Sequence, residues 1–327
     1  MNTGKIPETI LKRSVFKQIR HRRDEVIVRP GVGEDCSVIE LADDEVIVLS
    51  TDPITGTADE IGTYAVHITV NDIAASGAEP IGIMVTILMP SPAEEKNLKQ
   101  LIKSMEAECA DLGIEILGGH TEVTPVVNQI VVTVTGVGKL KKCEVMQKRK
   151  MRAGQEVVMT KWIGLEGTSI IANAREDELK TKYTSEVIDK AKSFIEMISI
   201  KREAEIAKRF KISSMHDVTE GGIFGALWEI ASAANLGIEA DLNKIPVKAE
   251  TIEICEYFDL NPYLLISSGS LIIVTEEANR LVEALEKEGI KASVIARLTE
   301  GNERVVFNED EKRYLEPPKT DELYKAI

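Results

Sequence analysis

Apolar and polar positions along the chain fall into two kinds of segment. Runs of β-forming residues at 26–29, 46–52 (VIVLSTD), 81–88 (IGIMVTIL), 114–117 and 129–136 (QIVVTVTG) each predict a strand. Between them apolar residues recur every three or four positions. Ile61, Ala65 and Ile68 mark a helical stripe for the stretch 63–80 (TYAVHITVNDIAASGAEP), introduced by Asp59. Leu98, Leu101, Met105 and Leu112 mark a second helix over 93–112, closed by Gly113, and a shorter helix is expected around 7–19. After a stretch at 139–155 where Lys and Arg cluster, the pattern restarts. It predicts strands at 157–161, 238–242, 271–275, 293–298 and 304–307, and helices at 166–174, within 185–210, around 224–230, and at 249–257 and 277–287. Strands and helices mix without strict alternation, so two α+β lobes, residues 1–150 and 151–327, are expected rather than one doubly wound sheet.

One residue breaks the apolar pattern. Asp72 lies four positions past Ile68 and continues its stripe, with Asn71 beside it. A carboxylate pointing into apolar surroundings is costly unless it is paired or binds a metal. Two readings stay open: Asp72 satisfies a neighbouring backbone group or an arginine, or it faces a cation.

Composition narrows the function classes. A chain of 327 residues is long for a single core. It has no 18-residue apolar run and its N-terminus lacks the apolar segment of a secretory signal, so neither a membrane span nor export is expected, and the cytoplasm is the default compartment. A net charge of −14 and 4% aromatic residues argue against a nucleic-acid partner. The basic run Arg20–Arg23 (RHRR) reads as an exposed turn. Cysteines at 36, 109, 143 and 255 form no C-x-x-C, and histidines at 21, 67, 120 and 216 form no metal-binding pair, so a disulfide framework and a zinc site are both disfavoured.

Candidate chemistry lies in acids set beside small residues where a β-run or loop meets a helix: Glu34-Asp35 in GVGED, Asp52 in STD, Glu122 in GGHTE, Asp217 in HDVTEGG, and Asp72. Small neighbours let backbone N–H groups approach a ligand, and Mg²⁺ takes oxygen ligands from one or two carboxylates plus substrate phosphates. An acidic chain binds a polyphosphate by that route, so the pattern reads as a Mg–nucleotide site. Each segment also has a plain reading: GVGED a turn, Ser50-Thr51-Asp52 a capped strand end, Asp217 an N-cap, His120 and His216 structural residues, and Met159, Trp162 and Trp228 core. No P-loop and no G-x-S-x-G elbow is present.

Taken in order, GVGEDCSV, STDPITG, VNDIAASGAEP, ILGGHTEV, HDVTEGG and NPYLLISSGSLII resemble the aminoimidazole-ribonucleotide synthetase (PurM-like) superfamily, and within it the hydrogenase-maturation HypE group, over about residues 4–300. The resemblance implies a two-domain PurM/HypE-like fold. Its N-terminal ATP-binding domain pairs with a second copy in a β-barrel-like homodimer interface, and its C-terminal domain is an α/β sandwich. ATP is expected between the lobes, reached partly by the partner subunit, with transfer of a phosphoryl group to an oxygen or selenium nucleophile. The resemblance assigns Asp35, Asp52, Asp72, Glu122 and Asp217 to Mg²⁺, and Lys5, Thr51, Asn71, Gly118, Gly119 and Thr121 to ATP. His120 and Asp217 become the catalytic candidates.

Two departures qualify this. The HypE group modifies a terminal Cys, whereas the last cysteine here is Cys255; selenophosphate synthetases need an N-terminal Cys or selenocysteine, whereas the first here is Cys36. His120 also replaces the carboxylate of the family's Gly-Asp-Thr form. The expected function is therefore ATP- and Mg²⁺-dependent activation of a small-molecule oxygen. The alternative is an ATP-binding maturation partner with little turnover of its own, docking a client or a HypF-like carbamoyl donor.

Overall fold

A computed structural model of the chain describes residues 4–5, 8–29, 38–54, 60–145, 151–317 and 320–327. The chain divides into two compact units, Met1–Ala74 with Ala78–Val145, and Met146–Ile327 with Ala75–Gly77.

The first unit is built on β1 (Gly4–Lys5), β2 (Val26–Val28), β3 (Val38–Ile39), β4 (Glu45–Ile54), β5 (Glu79–Pro90), β6 (Glu115–Thr124) and β7 (Val131–Lys141). Its helices are α1 (Glu8–Ile10), which runs into a π-helical turn, α2 (Ile61–Ala75) and α3 (Glu95–Leu112). Five strands form an open sheet in the order β1-β6-β5-β7-β4, with β5 and β6 parallel and the other pairs antiparallel. One face carries the core: Val66 and Val70 of α2 and Leu98, Ile102 and Met105 of α3 pack on Ile83, Val85 and Ile87 of β5 and Val132 and Val134 of β7. α3 stops where Gly113 turns left-handed (φ 68°), and the Ile114 N–H returns to the Cys109 carbonyl at 2.9 Å.

The stretch 63–80 is not one helix. α2 ends at Ala75, Gly77 reverses the chain at φ 87°, and Glu79 already belongs to β5. α2 lies close on β7 because that strand offers glycine: a Cβ at Gly136 would come within 2.7 Å of Thr69 Cγ2, and one at Gly138 within 2.4 Å of Ile73 Cγ2. The basic run is only partly an exposed turn: Arg20 and Arg22 are exposed, while Arg23, with Arg29 beyond the run, fastens it. Arg29 Nε meets the fully buried Glu115 at 2.8 Å, the Arg23 N–H meets its other oxygen at 2.7 Å, and Arg23 also pairs with Glu25 and Glu79. Arg23, with help from Lys139, holds the Glu25 carboxyl down to about 2.

The second unit contains β8 (Glu156–Thr160), β9 (Ile212–Asp217), β10 (Gly237–Asp241), β11 (Leu271–Thr275), β12 (Ala292–Thr299), β13 (Arg304–Asn308) and β14 (Glu311–Tyr314). Its helices are α4 (Leu165–Ala174), α5 (Glu176–Leu179), α6 (Ser185–Lys192), α7 (Lys201–Ala207), α8 (Gly222–Ala234), α9 (Ala249–Tyr257) and α10 (Ala278–Lys287). The strands form one sheet in the order β14-β13-β10-β12-β8-β11-β9. β11 is buried at every position, which is why its sequence is a continuous apolar run from Leu271 to Val274. Its Ile272 and Val274 join Ile223, Leu227 and Ile230 of α8 in the main cluster. Met159 lies in that core, while Trp228 is half-buried against it. Both units are mixed α+β, and the first sheet is open, not a closed barrel. No described helix is long and apolar enough to cross a membrane.

Candidate active site

In the first unit the site begins where α2 crosses the β7–β4 edge. Ser50 on β4 stands opposite Gly136, one of the two glycines that let α2 settle onto the sheet. That approach brings Asp72 over β4, where its carboxylate accepts a hydrogen bond from the Ser50 hydroxyl. Asp52, two residues along the same face of β4, lies 3.5 Å from the Ser50 hydroxyl. Burial pushes the Asp52 carboxyl up to about 6, and the neighbouring charge of Asp72 adds to the effect.

The expectation that Asp72 points into an apolar stripe is corrected. Ile68 and Asp72 are half-buried, while Asn71 is fully buried. The sheet and α3 between them cover most of α2, with His67 bonded to Glu108 of α3 at 2.9 Å, so almost every direction from this helix is buried. The line through Ile68 and Asp72 runs along its open margin.

Two half-buried carboxylates that repel each other suit a hard cation. Mg²⁺ needs only one or two such groups when phosphate oxygens complete its shell, so the pair fits that ion without a full protein cage. No group of three or more His, Cys, Asp or Glu stands ready as a metal cage among the described residues. The whole of GVGED, with Asp35, lies outside the described residues, as does Asp59.

The remaining candidates of this unit fall on the other face or another strand. GGHTE is not a loop: it forms the body of β6, where Gly119 (φ 149°) lets the chain pass so near β5 that a Cβ would stand 1.8 Å from the Val85 carbonyl oxygen. The registers put His120 beside Thr86 and Glu122 beside Leu88 on the outer face. There His120 Nε2 lies 3.3 Å from Glu122 Oε2, both half-exposed. Thr51 also faces outward, bonded to Thr135 at 3.0 Å. Thr121 points inward and is nearly buried, and Gly118 opens the outward part of β6. Lys5 takes the register position opposite Glu122. The His120–Glu122 pair is thus three strands, about 14 Å, from the Asp52–Asp72 pair and on the opposite face.

In the second unit Asp217 ends β9 and is 4% exposed. It is not the N-cap of α8, which starts at a left-handed Gly221 with no side-chain cap. His216 bonds Glu229 at 2.7 Å. Sequence reasoning passed over two acids here. Glu166, in the first turn of α4, is 2% exposed and accepts the Ser268 N–H at 3.3 Å. Burial raises its carboxyl to about 7, with Asp321 and Asp217 adding repulsion. Asp321 accepts the N–H groups of Gly221, Ile266 and Leu323. Only the buried position of Glu166 on an apolar helix turn could have flagged it.

Two family models match the chain: AIR synthase related protein, N-terminal domain, over residues 33–140, and its C-terminal domain over residues 152–308. The chain belongs to the AIR synthase-related family. It is similar to a putative hydrogenase expression/formation protein of Methanocaldococcus jannaschii, 25% identical over 93% of this chain and 91% of that one. The carbamoyl dehydratase HypE of Rhodobacter capsulatus is 28% identical over 75% of this chain and 72% of its own. Among solved structures, hydrogenase maturation protein HypE in complex with ATP superposes with a TM-score of 0.81 at 20% identity, covering 98% of this chain and 96% of that one. A HypE–HypF complex gives 0.72 at 22% identity, covering 88% and 94%. At these identities the likeness of structures speaks for the fold, which is the two-domain PurM/HypE-like α+β fold.

Proposed function

We propose that this chain is an ATP- and Mg²⁺-dependent enzyme that activates an oxygen of a small molecule by phosphoryl transfer. The observation that carries the reading is the convergence of Asp52 and Asp72 at the Ser50 hydroxyl. In this reading Asp52 and Asp72 hold Mg²⁺, and the Ser50 hydroxyl fixes the orientation of the Asp72 carboxylate. The bound cation supplies charge neutralisation for the transferred phosphoryl group, where catalysis is mostly positioning and electrostatics. The family match, and the ATP and dehydratase of the relatives' names, support the nucleotide and the reaction class.

Residues 1–150 form the ATP-binding and dimerising domain in this reading, and 151–327 the second domain. The uncovered outer face of the first sheet supports a homodimer: Ile47 is 55% exposed, Leu49 64% and Met84 40%. His120 and Glu122 share that face, so the reading turns them toward a second copy. Asp35 and Lys5 keep their assigned roles.

Cys109 and Cys255 are buried, and burial pushes the Cys255 thiol up to about 12, so neither offers a thiolate, whereas Cys143 is free and exposed. A second reading, an ATP-binding partner that acts with a HypF-like protein, draws support from the HypE–HypF complex among its structural relatives. Release of ADP by the purified chain decides between them. Steady turnover with phosphate- or amide-bearing metabolites supports the enzyme; turnover only after a carbamoyl-donor protein is added supports the partner; no ADP under either condition overturns both.

A further inference from the structure

We propose that the segment 320–327 is a clamp that holds two loops of the second unit in place, with Asp321 as its positioning residue. The proposal rests on the assignment of Asp217 to Mg²⁺ that the family resemblance implies. Its basis is geometric.

Asp321 is 2% exposed, yet its carboxylate is fully engaged by backbone. One oxygen accepts the Gly221 N–H at 2.7 Å; the other accepts the Ile266 N–H at 3.1 Å and the Leu323 N–H at 2.8 Å. A single side chain therefore ties the turn after Asp217 to the loop 261–270. The next residue repeats the arrangement. Glu322 accepts the Asn261 N–H at 3.0 Å, at the far end of the same loop. The segment is itself anchored, because Arg175 Nε donates to the Ala326 carbonyl at 2.6 Å and Leu323 and Ala326 are buried.

Both loops need an outside anchor. The turn after Asp217 passes through Gly221 at φ 84° and Gly222 at φ 61°, and a Cβ at Gly222 would stand 2.6 Å from the Tyr263 carbonyl oxygen. Such a glycine turn is required by the close approach, and the same freedom makes it entropically costly to hold. The loop 261–270 carries Ser268, whose N–H bonds Glu166, and Ser270, whose carbonyl accepts the Val218 N–H at 3.0 Å. Asp321 thus acts on Asp217 from both sides, through Gly221 on one and through the loop that meets Val218 on the other. It touches no reacting atom in this reading. Its role is to fix the conformation in which Asp217 is presented.

The test compares the full chain with Asp321→Asn, which keeps shape and the acceptor for Ile266 but sets an amide NH₂ against the Gly221 N–H. Glu322→Ala, which removes the acceptor of the Asn261 N–H, is the second variant, in case the first folds poorly. Amide exchange by mass spectrometry is read over peptides 218–224, 261–270 and 320–327, each protein well below its own melting midpoint. Affinity for Mg²⁺ with a non-hydrolysable ATP analogue is read in parallel. The clamp predicts that exchange in 218–224 and 261–270 speeds at least tenfold while the sheet peptides stay protected. It also predicts that analogue affinity falls about fivefold and that saturating analogue restores protection of 218–224. Faster exchange confined to 320–327 overturns the clamp, as does a uniform rise over the whole unit. Loosened loops with unchanged affinity overturn the positioning role. If the unaltered chain binds no analogue, the functional reading has failed, and the exchange pattern alone still decides whether the segment clamps the loops.

Discussion

Ser50 donates its hydroxyl hydrogen bond to Asp72, joining an edge strand to a helix 22 residues further along the chain. The contact exists because Gly136 and Gly138 let α2 approach the sheet, and it leaves Asp52 and Asp72 as neighbours of like charge. Asp72→Asn keeps an acceptor for Ser50 while removing that repulsion. The melting temperature of the metal-free protein should therefore rise slightly, while affinity for Mg–nucleotide falls roughly tenfold or more, about 1.4 kcal/mol per decade. Scanning calorimetry and a Mg²⁺ titration read the two effects separately, and a loss of both stability and affinity would mean that Asp72 is structural.

The same pair sets a pH dependence. Burial and the charge of Asp72 raise Asp52 to about 6, so below that pH a proton occupies the oxygen that would face the cation. Apparent Mg²⁺ affinity should climb as pH rises from 5 to 7 and level off above it. In Asp52→Asn the slope should vanish. A wild-type profile that is flat over this window contradicts the pairing.

Glu166 gives the opposite kind of signal, one of stability. Its folded carboxyl is raised to about 7 from an ordinary value of 4.5, so between those values the folded state holds a proton that the unfolded chain releases. Stability is therefore greatest below 4.5 and is lost as pH rises through 7, by on the order of 3 kcal/mol. Glu166→Gln keeps the acceptor for the Ser268 N–H and cannot ionise. It should unfold at higher denaturant than wild type at pH 8 and at nearly the same concentration at pH 4.5. Equal midpoints at both values would show that Glu166 is not held neutral.

Gly119 and Gly113 both have positive φ, but only one is crowded. A Cβ at Gly119 meets the Val85 carbonyl oxygen at 1.8 Å, whereas one at Gly113 meets nothing within 4 Å. Gly119→Ala should cost about 3 kcal/mol or more, since backbone must move, and Gly113→Ala only about 1 kcal/mol of conformational strain. Chemical unfolding of the two variants checks the contrast.

Much of this fold is legible in the sequence because burial imposes a period. β11 is apolar from Leu271 to Val274 because both its faces are covered, and α3 shows its 3.6-residue stripe because its other face is wet. α2 defeats the same method. Nearly all of its surface is buried, so the stripe Ile61, Ala65 and Ile68 does not reveal that its line opens toward Asp72, where Ile68 and Asp72 are only half-buried. The paired glycines of GGHTE suggest a loop, but here Gly119 serves the close approach of β6 to β5. The grouping of the acids was harder to foresee. Asp321 lies 100 residues from Gly221 and the Ser268 N–H lies 102 from Glu166, and no local pattern encodes such contacts.

The central claim is that Asp52 and Asp72 make a Mg–nucleotide site. Calorimetric titration of the purified chain with a non-hydrolysable ATP analogue, with and without Mg²⁺, tests it most directly. The account predicts saturable binding that needs Mg²⁺ and weakens about tenfold or more in Asp72→Asn. Absence of binding, or binding indifferent to both Mg²⁺ and Asp72, would contradict it.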